Sequence, residues 1–196
     1  FTVEADWSGA SYWFEMAAFA EELDLSIKGL KEISTQGDSA IVAMYDQLGV
    51  QTDFFEGGLR LSKNKKQLVT RFEEDFTDCP DVAQTLAVTL AGLNIPGRLT
   101  GLESLRIKET DRIAAVQNEL KKFGIKVDAE GDFAMTVHKG ELTKSSAPVH
   151  TYEDHRMAMA FAPLSMLVEG VQIEEPEVVE KSYPDYWNDL KKVGVE

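Results

Sequence analysis

The sequence predicts an α/β (α+β) domain in which one structural unit occurs three times with pseudo-threefold symmetry. A helix, a strand, a second helix and a β-hairpin follow one another in the same order along the chain. Matching landmarks return about every 70 to 76 residues, namely Leu48-Gly49, Phe123-Gly124 and Val193-Gly194. Such a period indicates supersecondary units that pack around a shared core, with the apolar opening helices inside. Helix–strand alternation that looks periodic by chance is the alternative.

The first unit opens with an apolar helix predicted over residues 8–23, and a strand is expected over residues 25–30. A second helix is predicted over residues 37–49. Residues 50–63 are typical of a hairpin, because two alternating segments flank the turn Gly57-Gly58.

The second unit repeats this order. Its opening helix is predicted over residues 80–93, its strand over 98–105 and its second helix over 110–123. Gly124 follows that helix, as a glycine often does at a helix C-terminus. Residues 125–139 are again typical of a hairpin, turning at 130–132.

The third unit is expected to be incomplete. Helices are predicted over residues 154–167 and 184–193, with a strand over 171–179, and the chain stops where a hairpin would begin. Residues 1–5 are predicted as a lone strand that completes another unit or leads in from a preceding domain. The first residue is not methionine, so we interpret the chain as part of something longer.

Composition excludes several classes of function. The formal net charge of -14 makes nucleic acid and anionic lipid improbable partners. No apolar run is long enough to cross a bilayer, and no signal peptide is evident. The single cysteine, Cys79, excludes an internal disulfide and indicates a cytoplasmic protein. Cys79 is interpreted as a small buried residue, with a reactive thiol as the alternative.

Two predicted helix starts carry charged residues of uncertain role. A helix N-terminus offers free N–H groups and the positive end of the dipole, so it binds anions. Asp78 is positioned to cap the helix that Pro80 begins, while Asp81 could serve the helix end or act as a base. Lys108 and Arg112 share a face if one helix includes both, but the segment could equally be a solvated helix start.

A third helix start is less easily explained as structural. Asp154 is a good N-cap, and His155 and Arg156 follow it directly before an almost entirely apolar helix. Burying a histidine and an arginine at the start of such a helix removes them from water, which is unfavourable unless they bind an anion. Lys181 would ordinarily be a solvent-exposed loop residue, but it follows a predicted strand, as Arg106 does one unit earlier.

Four motifs in these regions resemble those of 5-enolpyruvylshikimate-3-phosphate synthases. Their order and spacing agree with the family over the whole chain. They are RIKETDR at 106–112, YEDHRMAMAF at 152–161, PDVAQT at 80–85 and EKSYPDYW at 180–187.

The resemblance implies an architecture of two similar domains, each an inside-out α/β barrel of the enolpyruvyl transferase type, with the active site between them. Residues 1–196 would then be one domain, the C-terminal half. Its partner would be the N-terminal domain of the same enzyme, and the extreme N-terminus of the full protein would supply its first strand. The fragment alone is therefore expected to be inactive.

The resemblance also implies roles for single residues in transferring the enolpyruvyl group of phosphoenolpyruvate to the 5-hydroxyl of shikimate 3-phosphate. Asp81, Glu109 and His155 would be catalytic. Asp81 and Lys108 would contact shikimate 3-phosphate, as would Ser104, although some members have asparagine there. The groups that bind phosphoenolpyruvate would be Arg112, Arg156 and Lys181.

This chemistry needs a base for the hydroxyl, an acid for the methylene carbon and cations for the anionic substrate. No metal and no organic cofactor are therefore expected. Two alternatives remain: a UDP-N-acetylglucosamine enolpyruvyl transferase-like enzyme, or a catalytically dead binding module. A dead relative would be expected to have lost some of the seven ionisable site residues, and all are present. They are Asp81, Lys108, Glu109, Arg112, His155, Arg156 and Lys181.

Overall fold

The computed structural model describes residues 3–64, 66–145 and 147–195. The helices and strands of this part of the chain alternate, which confirms the α/β class. The α-helices are α1 Trp7–Phe19, α2 Ile41–Gln47, α3 Ala83–Gly92, α4 Arg112–Lys122, α5 His155–Phe161 and α6 Tyr186–Lys192. The strands are β1 Leu25–Lys28, β2 Val50–Phe55, β3 Gly58–Lys63, β4 Phe72–Asp75, β5 Gly97–Thr100, β6 Val127–Glu130 and β7 Ala134–Val137.

Three opening helices form the interior, as the repeat predicted. Helix α3 packs between α1 and α5. Apart from Gly9 and Gly92, every residue of α1 and α3 is buried. A helix that is apolar on all sides must be covered on all sides, so these helices lie inside and the more amphipathic α4 lies at the periphery.

Each of the first two units contributes one sheet. In the first, β3 pairs antiparallel with both β1 and β2, and the hairpin turns where Gly57 has φ of 95°. The second sheet has the order β4-β5-β7-β6, and its only parallel pair is β4 with β5. The two predicted hairpins are therefore confirmed, whereas β4 was not predicted.

Two predicted strands are wrong. The strand over 171–179 is replaced by one parallel bridge between Val149 and Ile173 and by a 3-10 helix, Pro176–Lys181. Proline has no N–H to donate to a sheet, and it here opens a helical turn instead. At the N-terminus, residues 3–5 of the described chain are not assigned to a strand, and residues 1 and 2 lie outside the described ranges.

Other predicted elements end earlier or start later than expected. The strand over 98–105 stops at Thr100, because Gly101 turns the chain with φ of 72°. A Cβ on Gly101 would lie 2.5 Å from the Thr77 nitrogen, so only glycine fits this turn. The long helix over 154–167 divides into α5 and a 3-10 helix, Ala162–Met166, that contains a proline.

No helix within the described ranges is long and apolar enough to span a membrane.

Candidate active site

Asp81 is the point at which three cationic side chains meet. It lies in the short 3-10 helix Pro80–Val82 that leads into α3. One carboxylate oxygen lies 3.3 Å from Lys108 Nζ and 2.9 Å from a guanidinium nitrogen of Arg112. The other oxygen lies 3.1 Å from Arg156. These cations come from the segment before α4, from α4 and from α5, so Asp81 joins the second and third units.

Arg112 is enclosed by carboxylates. Asp111 caps α4 by accepting a hydrogen bond from the Ala114 N–H at 3.0 Å, so the helix begins at Arg112. The side chain of Arg112 is only 1% exposed, and besides Asp81 it contacts Glu109 at 2.7 Å and Asp154 at 2.7 Å. Lys108 precedes the helix, so it and Arg112 do not share a helix face. Both nevertheless reach the same oxygen of Asp81.

Asp154 has a role that the sequence did not reveal. As predicted, it caps α5, and its carboxylate accepts a hydrogen bond from the Arg156 N–H at 2.9 Å. Both carboxylate oxygens also receive hydrogen bonds from Arg112, at 2.7 and 3.4 Å. One buried carboxylate therefore fixes the start of α5 and the guanidinium at the start of α4. A cap motif identifies the first role, but nothing in its pattern identifies a partner 42 residues away.

Neighbouring cations favour the ionised forms of Asp81 and Glu109. Burial acts to raise the pKa of Asp81, but Arg156, Lys108 and Arg112 outweigh it and bring that pKa below its usual value. Burial likewise opposes ionisation of Glu109, and its own backbone N–H together with Arg112 lowers the pKa of Glu109. Both groups are therefore carboxylates at neutral pH in this conformation.

Arg156 and His155 lie side by side at the start of α5 with different electrostatics. Burial acts to lower the pKa of Arg156, but nearby acidic groups, including Tyr12 and Asp81, raise it. Burial, followed by the charge of Arg156, lowers the pKa of His155, so its imidazole is neutral at neutral pH. Its Nδ1 atom is buried and has no hydrogen-bond partner in the part of the chain that the structure describes.

A small cavity of about 30 Å³ opens beside these two residues. Tyr12 of α1 and the segment that follows Lys181 line its other side. Lys181 itself is exposed, and its ammonium donates a hydrogen bond to the Glu153 carbonyl at 2.9 Å. The predicted residue Lys181 thus contacts the loop that leads into His155.

Other predicted residues have weaker connections or different ones. Ser104 is partly buried in the 3-10 helix Glu103–Ile107, and no hydrogen bond connects it with the other site residues across the described ranges.

Asp78 was expected to cap the second opening helix, and this prediction is wrong. Cys79 occupies the cap position of the 3-10 helix, which has no side-chain cap bond within the described residues. Cys79 is buried, and burial raises the pKa of its thiol to about 11, as expected for an unreactive cysteine.

The carboxylates that could bind a metal ion at this site contact basic side chains of the protein instead. Asp81, Glu109 and Asp154 all contact Arg112. Over the ranges that the structure describes, no group of three or more His, Cys, Asp or Glu residues is arranged to hold a metal ion.

Curated relatives match nearly all of this chain. A 3-phosphoshikimate 1-carboxyvinyltransferase of Bacteroides fragilis is 50% identical over 99% of this chain and 47% of its own length. The enzyme of the same name from Methanospirillum hungatei is 36% identical over 97% of this chain and 44% of its own length. The chain therefore spans just under half the length of these relatives.

Solved structures agree on the fold. An EPSP synthase from Acinetobacter baumannii superposes with a TM-score of 0.76 over 98% of this chain and 46% of that chain, at 23% identity. The enolpyruvyl transferase NikO from Streptomyces tendae superposes with a TM-score of 0.69 over all of this chain and 44% of that chain, at 19% identity. The family model for EPSP synthase (3-phosphoshikimate 1-carboxyvinyltransferase) matches residues 1–190. Because this match covers almost the entire sequence, the chain belongs to the EPSP synthase family.

Proposed function

We propose that the protein to which this chain belongs transfers the enolpyruvyl group of phosphoenolpyruvate to the 5-hydroxyl of shikimate 3-phosphate and releases phosphate. The chain would be its C-terminal domain, and the N-terminal domain of the same protein would supply the rest of the site and the first strand. The reaction would take place in the cytoplasm. The observation that carries the proposal is the contact of one carboxylate, Asp81, with three cations.

Phosphoenolpyruvate would bind to Arg112, Arg156 and Lys181. Guanidinium groups suit its carboxylate and phosphate because they donate paired hydrogen bonds. Arg112 and Arg156 now donate to Asp81, so an incoming anion would compete with that carboxylate. Shikimate 3-phosphate would contact Asp81 and Lys108, with Ser104 as a further candidate.

Binding of an anion to the arginines would also change the pKa values of Glu109, the proposed acid, and Asp81, the proposed base. Glu109 is ionised in part because it contacts Arg112 at 2.7 Å. An anion bound at Arg112 would offset that positive charge and add a negative one, which raises the pKa of Glu109 towards that of a proton donor. The same change would raise the pKa of Asp81 and make it a stronger base for the 5-hydroxyl. His155, neutral and beside Arg156, would assist the proton transfers.

The alternative acceptor is UDP-N-acetylglucosamine. Its support is limited to the fold, because the likeness to NikO extends the architecture to enolpyruvyl transferases generally. A catalytically dead module is the other alternative, and the ion pairs between Asp81 and its cations argue against it. A module without substrate would gain little from a buried guanidinium that needs three carboxylates.

The full-length protein should be assayed for phosphate release from phosphoenolpyruvate with each acceptor in turn. Turnover with shikimate 3-phosphate and none with UDP-N-acetylglucosamine is expected. Turnover with the sugar nucleotide alone would reverse the assignment, and none with either would favour the dead module. The chain by itself should be inactive, because domain closure orients both substrates and excludes water. Activity restored by the separately made N-terminal portion would support the domain assignment, whereas turnover by the chain alone would refute it.

A further inference from the structure

The loop that leads into α5 holds an unusual backbone conformation. We call residues 149–154 the site strap, because they end at Asp154 directly before His155 and Arg156. Two successive strap residues, Tyr152 and Glu153, have φ of 55° and 57°. Residues with a Cβ rarely adopt this left-handed region, and strain of this kind persists only where surrounding contacts enforce it.

Glu119 supplies such contacts from within α4. Its side chain is 1% exposed, and it accepts hydrogen bonds from two parts of the strap. The His150 N–H donates to one oxygen at 3.0 Å, and the Tyr152 hydroxyl donates to the other at 3.0 Å. Lys122 neutralises the carboxylate at 2.7 Å and donates to the Pro148 carbonyl at 2.9 Å. A single buried carboxylate thus binds the strap on both sides of Thr151.

The strap is attached to α4 at a second point. Asp154, its last residue, receives two hydrogen bonds from Arg112, the first residue of α4. Arg112 and Glu119 are seven residues apart, which is about two turns of one helix and a span of about 10 Å. Helix α4 therefore acts as a rigid spacer with one attachment for each end of the strap.

We infer that Glu119 is a positioning residue, which holds the strap so that His155 and Arg156 face Arg112 and Asp81. The inference rests on the proposed function, because it assigns a purpose to the placement of those groups. A buried ion pair is often replaceable by apolar residues without loss, whereas the strap presents a backbone N–H and a hydroxyl that need this acceptor.

The kinetic test uses Glu119→Gln in the full-length protein. Glutamine keeps the volume but offers one acceptor oxygen, so one strap donor is left unpaired. The KM for phosphoenolpyruvate should rise about tenfold, as for a lost charged hydrogen bond, while the KM for shikimate 3-phosphate changes less than about twofold. Tyr152→Phe, which removes only the hydroxyl donor, should change the KM for phosphoenolpyruvate in the same direction by a smaller factor. It also serves if Glu119→Gln does not fold.

Two control variants separate positioning from stability. Val116→Ala truncates a fully buried side chain one turn earlier on α4, and it removes no hydrogen bond to the strap. Glu130→Gln breaks a forked pair with Arg98 in the second sheet, away from the strap. Both should leave the two KM values within about twofold, even where Val116→Ala lowers Tm as much as Glu119→Gln does. Equal kinetic effects at equal Tm would overturn the inference.

A second readout does not depend on turnover. The pKa of His155 is lowered by burial and by Arg156, with smaller effects of Asp154, Glu109 and Arg112. Displacement of the strap changes that environment, so NMR titration of His155, assigned with His155→Gln, should give a higher pKa in Glu119→Gln and an unchanged one in Val116→Ala. If His155 responds while no acceptor is turned over, the positioning role stands and the proposed function fails. An unchanged titration in Glu119→Gln and Tyr152→Phe would overturn the positioning role.

Discussion

Asp154 and Glu15 are both fully buried carboxyl groups, yet their surroundings are opposite. Asp154 lies at the start of α5, where Arg112 and the Arg156 N–H donate hydrogen bonds to it. Glu15 lies in the middle of α1 among apolar side chains and hydroxyl groups. The nearby Thr89 hydroxyl donates to the Thr85 carbonyl, and neither oxygen of Glu15 has a hydrogen-bond partner in the described part of the chain.

The comparison separates two ways of burying an acid. Burial raises the pKa of Glu15 well above its usual value, and the opposing effect of the Thr89 hydroxyl does not outweigh burial, so the neutral carboxylic acid is favoured. At the candidate site, Asp154 and Asp81 instead contact the guanidinium group of Arg112. Burial of an acid therefore has two different electrostatic outcomes in this chain, and a contact with a guanidinium distinguishes them.

The strongest way to break this comparison is to make Asp154 resemble Glu15. Arg112→Met leaves Asp154 buried without its cation, and the free energy of unfolding should fall by about 3–5 kcal/mol. Urea denaturation of the chain measures the loss. Arg98→Met removes an arginine of similar forked geometry from a pair that is about one third exposed, and it should lower stability far less.

A double variant sharpens the result. Arg112→Met with Asp154→Leu removes both charges, so much of the lost stability should return because no unpaired charge stays buried. If the losses of the two single variants simply add, the two side chains do not depend on each other and the comparison is wrong.

The next effect concerns Asp81. Like Asp154 it contacts guanidinium groups, but its side chain is only partly buried. Asp81→Asn in the full-length protein should lower kcat by about 100-fold, the typical loss for a general base. Its affinity for inorganic phosphate should stay the same or increase, because the arginines lose their internal competitor. Calorimetric titration of phosphate measures this.

Asp78→Asn is the matched control for Asp81→Asn, since it changes an exposed aspartate three residues earlier and should alter neither quantity. Weaker phosphate binding in Asp81→Asn would show instead that Asp81 orients the arginines for the anion.

Arg156→Ala tests the cation that is shared between Asp81 and the proposed substrate. The KM for phosphoenolpyruvate should rise at least about tenfold, or about 1.4 kcal/mol, as expected for a lost charged hydrogen bond. Steady-state kinetics of the full-length protein measure it, with the exposed Arg71→Ala as the control. Unchanged kinetics would remove Arg156 from the proposed binding set.

The sequence predicted the buried helices better than the contacts that connect the candidate site. Apolar continuity predicted that α1 and α3 are buried, and Asp154 was recognised as a cap. Some failures are local, and others concern residues whose partners lie far away in the sequence. Pro176 lies in a segment with strand-like alternation, yet it opens a helical turn, and Cys79 rather than Asp78 takes the cap position. The contact of Asp154 with Arg112 spans 42 residues, and those of Glu119 with the strap span 31 and 33 residues, so no local pattern encodes them.

The last effect concerns Glu15, and its sign follows from the direction of the pKa shift. In the unfolded chain Glu15 ionises near its usual pKa of 4.5, whereas the folded chain holds its proton to higher pH. Between these two pKa values the folded state therefore binds more protons than the unfolded state, so this contribution to stability is complete below about pH 4.5 and declines as the pH rises towards the folded pKa.

Glu15→Gln keeps the volume of the side chain and removes its titration. The free energy of unfolding of Glu15→Gln, minus that of the unsubstituted chain, should increase by about 1.4 kcal/mol per pH unit between pH 4.5 and the folded pKa. Urea denaturation at a series of pH values measures the slope, with the exposed Glu22→Gln as the control. A difference that does not depend on pH would mean that Glu15 is ionised in the folded chain, and the contrast with Asp154 would then be wrong.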